Sequence, residues 1–188
     1  MNKKGFLVAI SSPSGGGKST VIKKLLKKRT LPFVYSVSMT TRTPRPGEID
    51  GRDYWFVTKE HFERLLEKGE FIEYERVHDN LYGTPRKPIE KWKKQGKIVL
   101  LDVDVFGALA IKRYFPEDSL LVFLKPPNET VLRQRLAGRR TESEEEIARR
   151  MERVKIELAQ GEKFDLVIIN DKLEETVAQV ESFIENRT

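Results

Sequence analysis

Cysteine is absent from this 188-residue chain, and histidine occurs only twice. Without cysteine the chain can form neither disulfides nor thiolate metal sites, and two histidines leave any protein-only zinc site dependent on carboxylates. Long apolar runs are also missing, because no stretch approaches the roughly 20 residues of a membrane-spanning helix. The apolar run near the start covers only about five residues, which is too short for a signal peptide. We therefore expect a soluble, cytoplasmic protein with no membrane partner.

The charge balance is basic but gives no specific partner. Lysine and arginine number 35 against 29 aspartates and glutamates, a formal net charge of +6. Such an excess can indicate nucleic-acid binding, yet the basic cluster over residues 23–29 is typical of a solvated helix face. A pocket for several phosphates would need the same excess. Since no nucleic-acid recognition motif is present, we expect no nucleic-acid partner.

A glycine-rich segment at residues 12–19, Ser-Pro-Ser-Gly-Gly-Gly-Lys-Ser, is the strongest motif of the chain. An apolar run from Phe6 to Ile10 precedes it, as a buried parallel strand should, and helical periodicity follows Ser19. Glycines let successive N–H groups turn inward, Lys18 can reach the β- and γ-phosphates, and Ser19 can ligate Mg²⁺. This pattern predicts an ATP site formed by Ser12, Pro13, Ser14, Gly15, Gly16, Gly17, Lys18, Ser19 and Thr20.

Ser12 departs from the usual Gly-x-x-x-x-Gly-Lys-Ser/Thr pattern, because it occupies the first glycine position. A small residue can replace that glycine if its backbone angles are ordinary. The alternative interpretation is a glycine-rich surface loop followed by an unrelated amphipathic helix. The strand before the motif and the helix after it favour the phosphate site.

Strands alternating with helices predict an α/β fold, a three-layer sandwich with a parallel core sheet. An apolar strand over residues 97–101 leads into Asp102 and Asp104, and two further buried strands are predicted at 119–124 and 164–169. The acids and the glycine-rich loop both follow strand ends, where ligands bind in such sheets.

Residues 37–96 interrupt this pattern and predict a small inserted α+β lobe. Prolines and glycines in the polar segment 39–52 indicate a binding loop. Thr58 predicts the N-cap of one helix. Thr84 as N-cap, with Pro85 at the first helical position, predicts the start of another.

An arginine-rich segment at residues 126–155 predicts a helical lid, with a capping box at Ser143 and Glu146 that restarts a helix. The remaining ranges, 1–36, 97–125 and 156–188, are predicted to form the core. We interpret Arg133, Arg140 and Arg153 as surface residues paired with Glu142, Glu144 or Glu145.

Along nearly its whole length the chain resembles the guanylate kinases. The resemblance depends on several motifs in order: the glycine-rich segment, Ser-Met-Thr-Thr-Arg-Thr-Pro-Arg-Pro-Gly-Glu at 38–48, Gly-Arg-Asp-Tyr at 51–54, Phe-Ile-Glu at 71–73, Tyr-Gly-Thr at 82–84, Leu-Asp-Val-Asp at 101–104, Arg-Leu-Ala-Gly-Arg at 135–139 and Ile-Asn-Asp at 169–171. It implies ATP-dependent phosphorylation of GMP, and of dGMP, to GDP with Mg²⁺, in purine nucleotide metabolism. It also implies a P-loop core, a GMP-binding lobe and a lid.

The resemblance carries over to individual residues. GMP binding would involve Ser38, Arg42, Arg45, Tyr54, Glu73, Tyr82, Thr84, Asp102 and Asp104. Transfer would involve Lys18, Arg42 and the lid residues Arg135, Arg139 and Arg150. Arg139 and Asn170 would lie near adenine, Arg135 on the ATP phosphates, and Ser19 with Asp102 near Mg²⁺.

The chemistry of the acceptor agrees with those roles. Arg42 and Arg45 offer forked donors for a dianionic phosphate. Guanine presents N1–H and N2–H₂ donors, which Glu73 and Asp104 could accept. AMP would leave such acceptors unpaired, at about 1–3 kcal/mol for each mismatch.

Other functions stay open at this point. Domains of this fold also serve as protein-binding modules without catalysis, although such modules typically lose the phosphate loop or its lysine. A kinase for a different nucleoside monophosphate is opposed by Glu73 and Asp104, and an ATP-using nucleic-acid-binding protein lacks a recognition element. We expect small-molecule partners only, and a monomer or a small homo-oligomer.

Overall fold

The computed structural model describes residues 4–13, 15–28, 30–77, 79–128, 130–132 and 144–187, and for 144–150 it describes the backbone alone. Several predicted features lie outside the described residues. They are Ser14, Arg133, Arg135, Arg139, Arg140, the capping box at Ser143, and the side chain of Arg150. Within the described part of the chain, no helix combines the length and apolar character that crossing a bilayer requires.

Strands and helices alternate along most of the chain, and three short strands follow one another between residues 33 and 56. In chain order the elements are β1 (Phe6–Ser11), α1 (Lys18–Lys27), β2 (Phe33–Ser36), β3 (Met39–Thr40), β4 (Trp55–Phe56), α2 (Lys59–Glu67), β5 (Phe71–Val77), β6 (Asn80–Pro85), α3 (Arg86–Lys94), β7 (Ile98–Asp102), α4 (Val105–Tyr114), β8 (Ser119–Lys125), α5 (Glu144–Gly161), β9 (Leu166–Ile169) and α6 (Leu173–Glu185).

Five strands form the core sheet in the order β2-β7-β1-β8-β9, and every neighbouring pair is parallel. Every residue of β1 is buried, as expected for a central strand covered on both faces. Residues of α1 and α6 pack on one face of the sheet, and residues of α3 and α4 pack on the other. The α/β sandwich with a parallel core sheet is therefore confirmed.

A second sheet, of four strands in the order β4-β3-β6-β5, forms within the predicted insertion. Its strands β5 and β6 are antiparallel, and α2 packs beside them through Phe62, which stacks on Phe71 at 4.3 Å between ring centroids. Thr58 caps α2 by accepting a hydrogen bond from the backbone N–H of His61, as the sequence predicts.

The predicted start of α3 is wrong by one residue. Thr84 is not its N-cap but lies in β6, opposite Glu73 of β5. Pro85 takes the N-cap position in an extended conformation, with φ −64° and ψ 133°, so the helix begins at Arg86. The long-range pairing with β5 overrides the local helix-start signal. Helix α3 packs on the core sheet, with Ile89 fully buried.

Candidate active site

The glycine-rich segment joins β1 to α1 and bends sharply at two glycines. Gly15 has φ 81° and Gly17 has φ 90°, a region that residues with a side chain rarely adopt. A Cβ at Gly17 would lie 2.7 Å from Nδ2 of Asn170. Backbone geometry and close packing therefore both require glycine there, and Gly17 forms the N-cap of α1.

Ser12, at the unusual first position, turns its side chain into the loop. It is buried, with 4% of its surface exposed. A Cβ added at Gly16 would lie 2.4 Å from Ser12 Oγ and 2.9 Å from the carbonyl oxygen of Pro13. The space that a first glycine would leave open is filled here by the serine, so the middle of the loop depends on glycine at position 16.

Lys18 and Ser19 both lie against Asp102, at the end of β7. Ser19 Oγ donates to Asp102 Oδ2 at 3.0 Å, and Lys18 Nζ is 3.6 Å from Asp102 Oδ1. Lys18 also donates to the carbonyl oxygen of Ser12 at 3.4 Å. This arrangement groups an ammonium, a hydroxyl and a carboxylate beside the loop, the set that phosphate and a hard divalent cation use.

Asn170 holds the glycine-rich loop through a hydrogen bond to its backbone. Its Nδ2 donates to the carbonyl oxygen of Gly16 at 2.6 Å, and the residue is buried. Asn170 follows β9, the edge strand of the core sheet. The proximity to adenine that the resemblance implies stays a prediction.

A cleft of about 840 Å³ separates the phosphate loop from the second sheet, within the usual range for small-molecule sites. One wall contains the described loop residues, with Lys18 and Ser19. The opposite wall contains the predicted GMP-binding residues Arg42, Arg45, Tyr54 and Tyr82. Tyr54 and Tyr82 meet edge to face at 5.9 Å, and burial raises the pKa of Tyr54 to about 12, so its hydroxyl stays protonated.

Glu48, which the sequence analysis did not assign, holds the arginine loop in shape. Arg42 Nη2 donates to Glu48 Oε1 at 2.9 Å, and the backbone N–H of Arg45 donates to Glu48 Oε2 at 2.7 Å. The hydrogen bond from Arg42 lowers the pKa of Glu48 and raises that of the guanidinium. Arg42 also lies over the ring of Tyr54, 5.5 Å from its centroid. Glu48 therefore fixes the direction in which Arg42 faces the cleft.

The further residues that line the cleft and that the sequence analysis did not assign to the site include Tyr35, Arg52 and Asp53. Tyr35 is in β2, and burial, with the charge of Asp102 next in importance, raises its pKa. Arg52 donates to Asp53 from both Nε and Nη2. The only signal for Tyr35 was a polar hydroxyl near the carboxyl end of a predicted strand, where side chains reach the ligand edge.

Glu73 and Thr84 face each other across β5 and β6, and the Thr84 hydroxyl donates to Glu73 Oε1. Burial, with the nearby charge of Asp104 as a smaller cause, raises the pKa of Glu73 to about 7, while the hydrogen bond from Thr84 acts against the rise. The Thr84 hydroxyl hydrogen is thus engaged in orienting the carboxylate. Ser38 precedes β3, which pairs with the strand of Thr84, with Met39 opposite Gly83. The carbonyl oxygen of Ser38 accepts the N–H of Trp55 at 2.9 Å.

Asp102 and Asp104 diverge because the strand ends between them. Asp102 is the last residue of β7 and faces the phosphate loop. Asp104 is the N-cap of α4, and its Oδ1 accepts the N–H of Gly107 at 2.7 Å. A Cβ at Gly107 would lie 3.1 Å from Glu73 Oε2 and 3.2 Å from Asp104 Oδ1. The bend therefore brings Asp104 to Glu73 and leaves Asp102 with Lys18.

Arg153 differs from its interpretation as a partner of nearby surface glutamates. Its Nη2 contacts Glu75 Oε1 at 2.9 Å and Asp104 Oδ2 at 3.1 Å, and its Nε donates to Glu157 Oε1 at 3.0 Å. Two of these partners are 78 and 49 residues away in sequence, and no local pattern could have indicated them. Arg153 therefore joins α5 to β5 and to the start of α4.

Comparison with known proteins gives a consistent result. The model of the guanylate kinase family matches residues 4–187. A guanylate kinase of Oceanobacillus iheyensis is 42% identical over 186 residues, covering 99% of this chain and 89% of that protein. One from Symbiobacterium thermophilum is 44% identical over 181 residues, covering 96% and 85%. The crystal structure of a guanylate kinase from Anaplasma phagocytophilum superposes with a TM-score of 0.82 at 34% identity, covering 98% of this chain and 87% of that one.

Proposed function

The chain belongs to the guanylate kinase family, a nucleoside monophosphate kinase family, and on that premise we propose which of its residues bind ATP and GMP and carry the transfer between them. The reaction is ATP + GMP = ADP + GDP, and dGMP is the proposed second acceptor. The non-catalytic binding module is not favoured, since the phosphate loop keeps both Lys18 and Ser19.

ATP is proposed to bind with its phosphates along the loop of residues 12–20. The N–H groups of the loop and the N-terminus of α1 offer donors and a partial positive charge to the phosphates. Lys18 supplies a full positive charge close to the proposed site of phosphoryl transfer. Asn170 holds the loop at Gly16, so the proposed adenine contact would depend on a side chain that is already fixed.

GMP is proposed to place its phosphate on the opposite wall of the cleft. Arg42, fixed by Glu48, and Arg45 are the proposed charged donors, with the hydroxyls of Tyr54 and Tyr82 beside them. The attacking group is an already anionic phosphate oxygen, so transfer needs no general base. The protein's task is to hold two anionic phosphates in line and to offset their repulsion.

The guanine base is proposed to lie between Glu73 and Asp104. The observation that carries this proposal is the approach of both carboxylates to one point, because a Cβ built on Gly107 would lie 3.1 Å from Glu73 Oε2 and 3.2 Å from Asp104 Oδ1. Two acceptors there match the N1–H and N2–H₂ donors of guanine. Adenine would present a lone pair to a carboxylate instead, at a cost of roughly 2–6 kcal/mol for two mismatches.

Magnesium is the proposed cofactor, and the residues present fit it. Ser19 and Asp102 bring two hard oxygen ligands together at 3.0 Å, and Mg²⁺ in kinases is usually held by one or two side chains plus substrate phosphates. Consistent with that mode, the described residues contain no cluster of three or more acidic, histidine or cysteine side chains that could hold a metal alone. When bound, the ion would offset the charge of the ATP phosphates.

The lid and the domain limits remain proposals that rest on the family resemblance. Arg135, Arg139 and Arg150 would close over the phosphates from residues 126–155 and exclude water that could hydrolyse ATP. The GMP-binding lobe is proposed for residues 37–96. We also propose a cytoplasmic location, small-molecule partners, and a monomer or small homo-oligomer.

The proposed function is tested by measuring ADP release with GMP, AMP, CMP and UMP supplied in turn at equal concentration. GMP should be used at least about 30-fold better than AMP by kcat/KM, from the lower limit of the mismatch cost. No turnover with any of them would favour the binding module, and a preference for AMP would overturn the guanine assignment. Calorimetry separates these two failures, because a protein that binds GMP without turning it over keeps the guanine assignment and lacks only the kinase activity.

A further inference from the structure

One arginine outside the proposed binding residues joins three carboxylates from three elements of the fold. Arg153 of α5 contacts Glu75 of β5, Asp104 at the start of α4, and Glu157 one turn along its own helix. Glu157 is buried, with 8% of its side chain exposed, whereas Arg153 is 43% exposed. The guanidinium is therefore partly exposed, and its donors are directed at these three carboxylates.

The two oxygens of Asp104 have separate partners. Oδ1 accepts the N–H of Gly107, and Oδ2 accepts from Arg153. With both oxygens held, the carboxylate plane cannot rotate freely about its side-chain bonds. The carboxylate of Glu73 lies close to the same point, since a Cβ built on Gly107 would be 3.1 Å from Glu73 Oε2 and 3.2 Å from Asp104 Oδ1.

The acids of this region would repel one another without a cation. Glu73 and Glu75 are on the same strand, Asp104 faces both, and Glu157 adds a fourth charge on α5. Burial, and then a hydrogen bond and charge interaction with Asp104, raise the pKa of Glu75 to about 7. The cations that face these groups are Arg153 and, acting on Glu157 at longer range, Lys18. Like charges this close favour protonation of one acid in each pair.

We propose that Arg153 is a positioning residue for the guanine subsite: it holds Asp104 in place beside Glu73 against the repulsion of Glu75. This inference rests on the proposed function, because it assumes that Asp104 accepts hydrogen bonds from the base. Arg153 itself need not touch GMP. Its second contact ties β5, which carries Glu73, to the same guanidinium.

The inference predicts a specific kinetic pattern for Arg153→Gln. The KM for GMP should rise about tenfold, the low end for loss of a charged hydrogen bond because the arginine is partly exposed. The kcat at saturating GMP and the KM for ATP should stay within about twofold of wild type.

A double variant separates positioning from simple loss of structure. In Arg153→Gln the side chain of Glu75 is left to repel Asp104, so adding Glu75→Gln should recover most of the lost GMP affinity. Glu75→Gln alone should leave the KM for GMP close to wild type. A matched control is Lys155→Gln, which removes an exposed cation paired with Glu152 on the same helix and should change neither KM.

Several results would overturn the inference. They are an unchanged KM for GMP in Arg153→Gln, a loss of kcat or of ATP affinity as large as the loss of GMP affinity, and no recovery in the double variant. The double variant removes one of the three acids together with the arginine and leaves Asp104 and Glu157 without that cation. A thermal melt of each variant therefore separates unfolding from loss of positioning. Failure of wild-type protein to phosphorylate GMP would refute the proposed function instead, so the two failures are distinct.

Discussion

Replacing Glu73 by glutamine should stabilise the free protein at alkaline pH while damaging its use of GMP. The pKa of the Glu73 carboxyl is raised to about 7 from an ordinary 4.5, chiefly by burial. Glutamine has nearly the same shape and can still accept the hydrogen bond from Thr84. The substitution therefore removes the cost of ionising a buried acid and little else.

The sign and size of the effect follow from the difference in pKa between the folded and unfolded states. A carboxyl whose folded-state pKa is raised stabilises the fold most at low pH, and that contribution is lost as the pH rises from the unfolded value to the folded one. At about 1.4 kcal/mol per pKa unit, ionising Glu73 costs the fold about 3 kcal/mol above pH 7. The difference in unfolding free energy between Glu73→Gln and wild type should grow in favour of the variant from about pH 5 to about pH 7, and then level off.

Urea unfolding of both proteins at pH 5, 6, 7 and 8, without nucleotide, measures this difference directly. Taking the difference at each pH cancels the acids whose pKa values are lowered, such as Glu48 and Asp118. In parallel, the wild-type KM for GMP should rise as the pH falls below about 7, whereas the variant should show a high and pH-independent KM over that interval. If the difference in unfolding free energy between the two proteins did not change with pH, the claim that burial of the ionised Glu73 destabilises the free protein would be refuted.

Three further predictions concern the phosphate loop and the arginine loop. Lys18→Ala should lower kcat about 10²- to 10³-fold with an unchanged melting temperature, and unchanged turnover would show that the loop does not hold the triphosphate. Gly17→Ala should weaken ATP binding and lower the melting temperature, because φ is 90° and the new Cβ would lie 2.7 Å from Nδ2 of Asn170. The matched control is Gly47→Ala, where φ is 86° but the space around the residue is open. Equal effects of the two substitutions would contradict the packing argument. Glu48→Gln should raise the KM for GMP about tenfold with little change in that for ATP, since Arg42 loses a charged partner; an equal rise in both would contradict this role.

The features that the sequence predicts well are those coded by neighbouring residues. The strand, loop and helix of residues 6–27 follow from an apolar run, three glycines and an amphipathic repeat. Thr58 as a helix cap likewise depends on contacts three residues away. Such local signals survive because nothing distant competes with them.

The features that the sequence did not predict depend on residues far apart in the chain. Thr84 reads locally as a helix cap, yet its pairing with Glu73 across two strands draws it into the sheet. Arg153 is interpreted from sequence as a surface residue because the arginine-rich segment also contains Glu142, Glu144 and Glu145. Two of its actual partners instead come from β5 and the start of α4. Neither outcome is accessible without the three-dimensional arrangement of the strands.

The short step from Asp102 to Asp104 explains how one chain segment can serve two substrates. If β7 had continued for two more residues, the side chains of both acids would have projected from the same face of the strand, since residues two apart in a strand share a face. The strand instead ends at Asp102, and Asp104 turns to cap α4 through the N–H of Gly107. Asp102 is thereby committed to Lys18 and Ser19, and Asp104 to Glu73 and Arg153. On the proposed function, Asp102 therefore serves the ATP phosphates and Asp104, two residues later, serves the base of GMP. A substitution that extends the strand, by removing the cap at Asp104, should therefore impair recognition of GMP before it impairs binding of ATP.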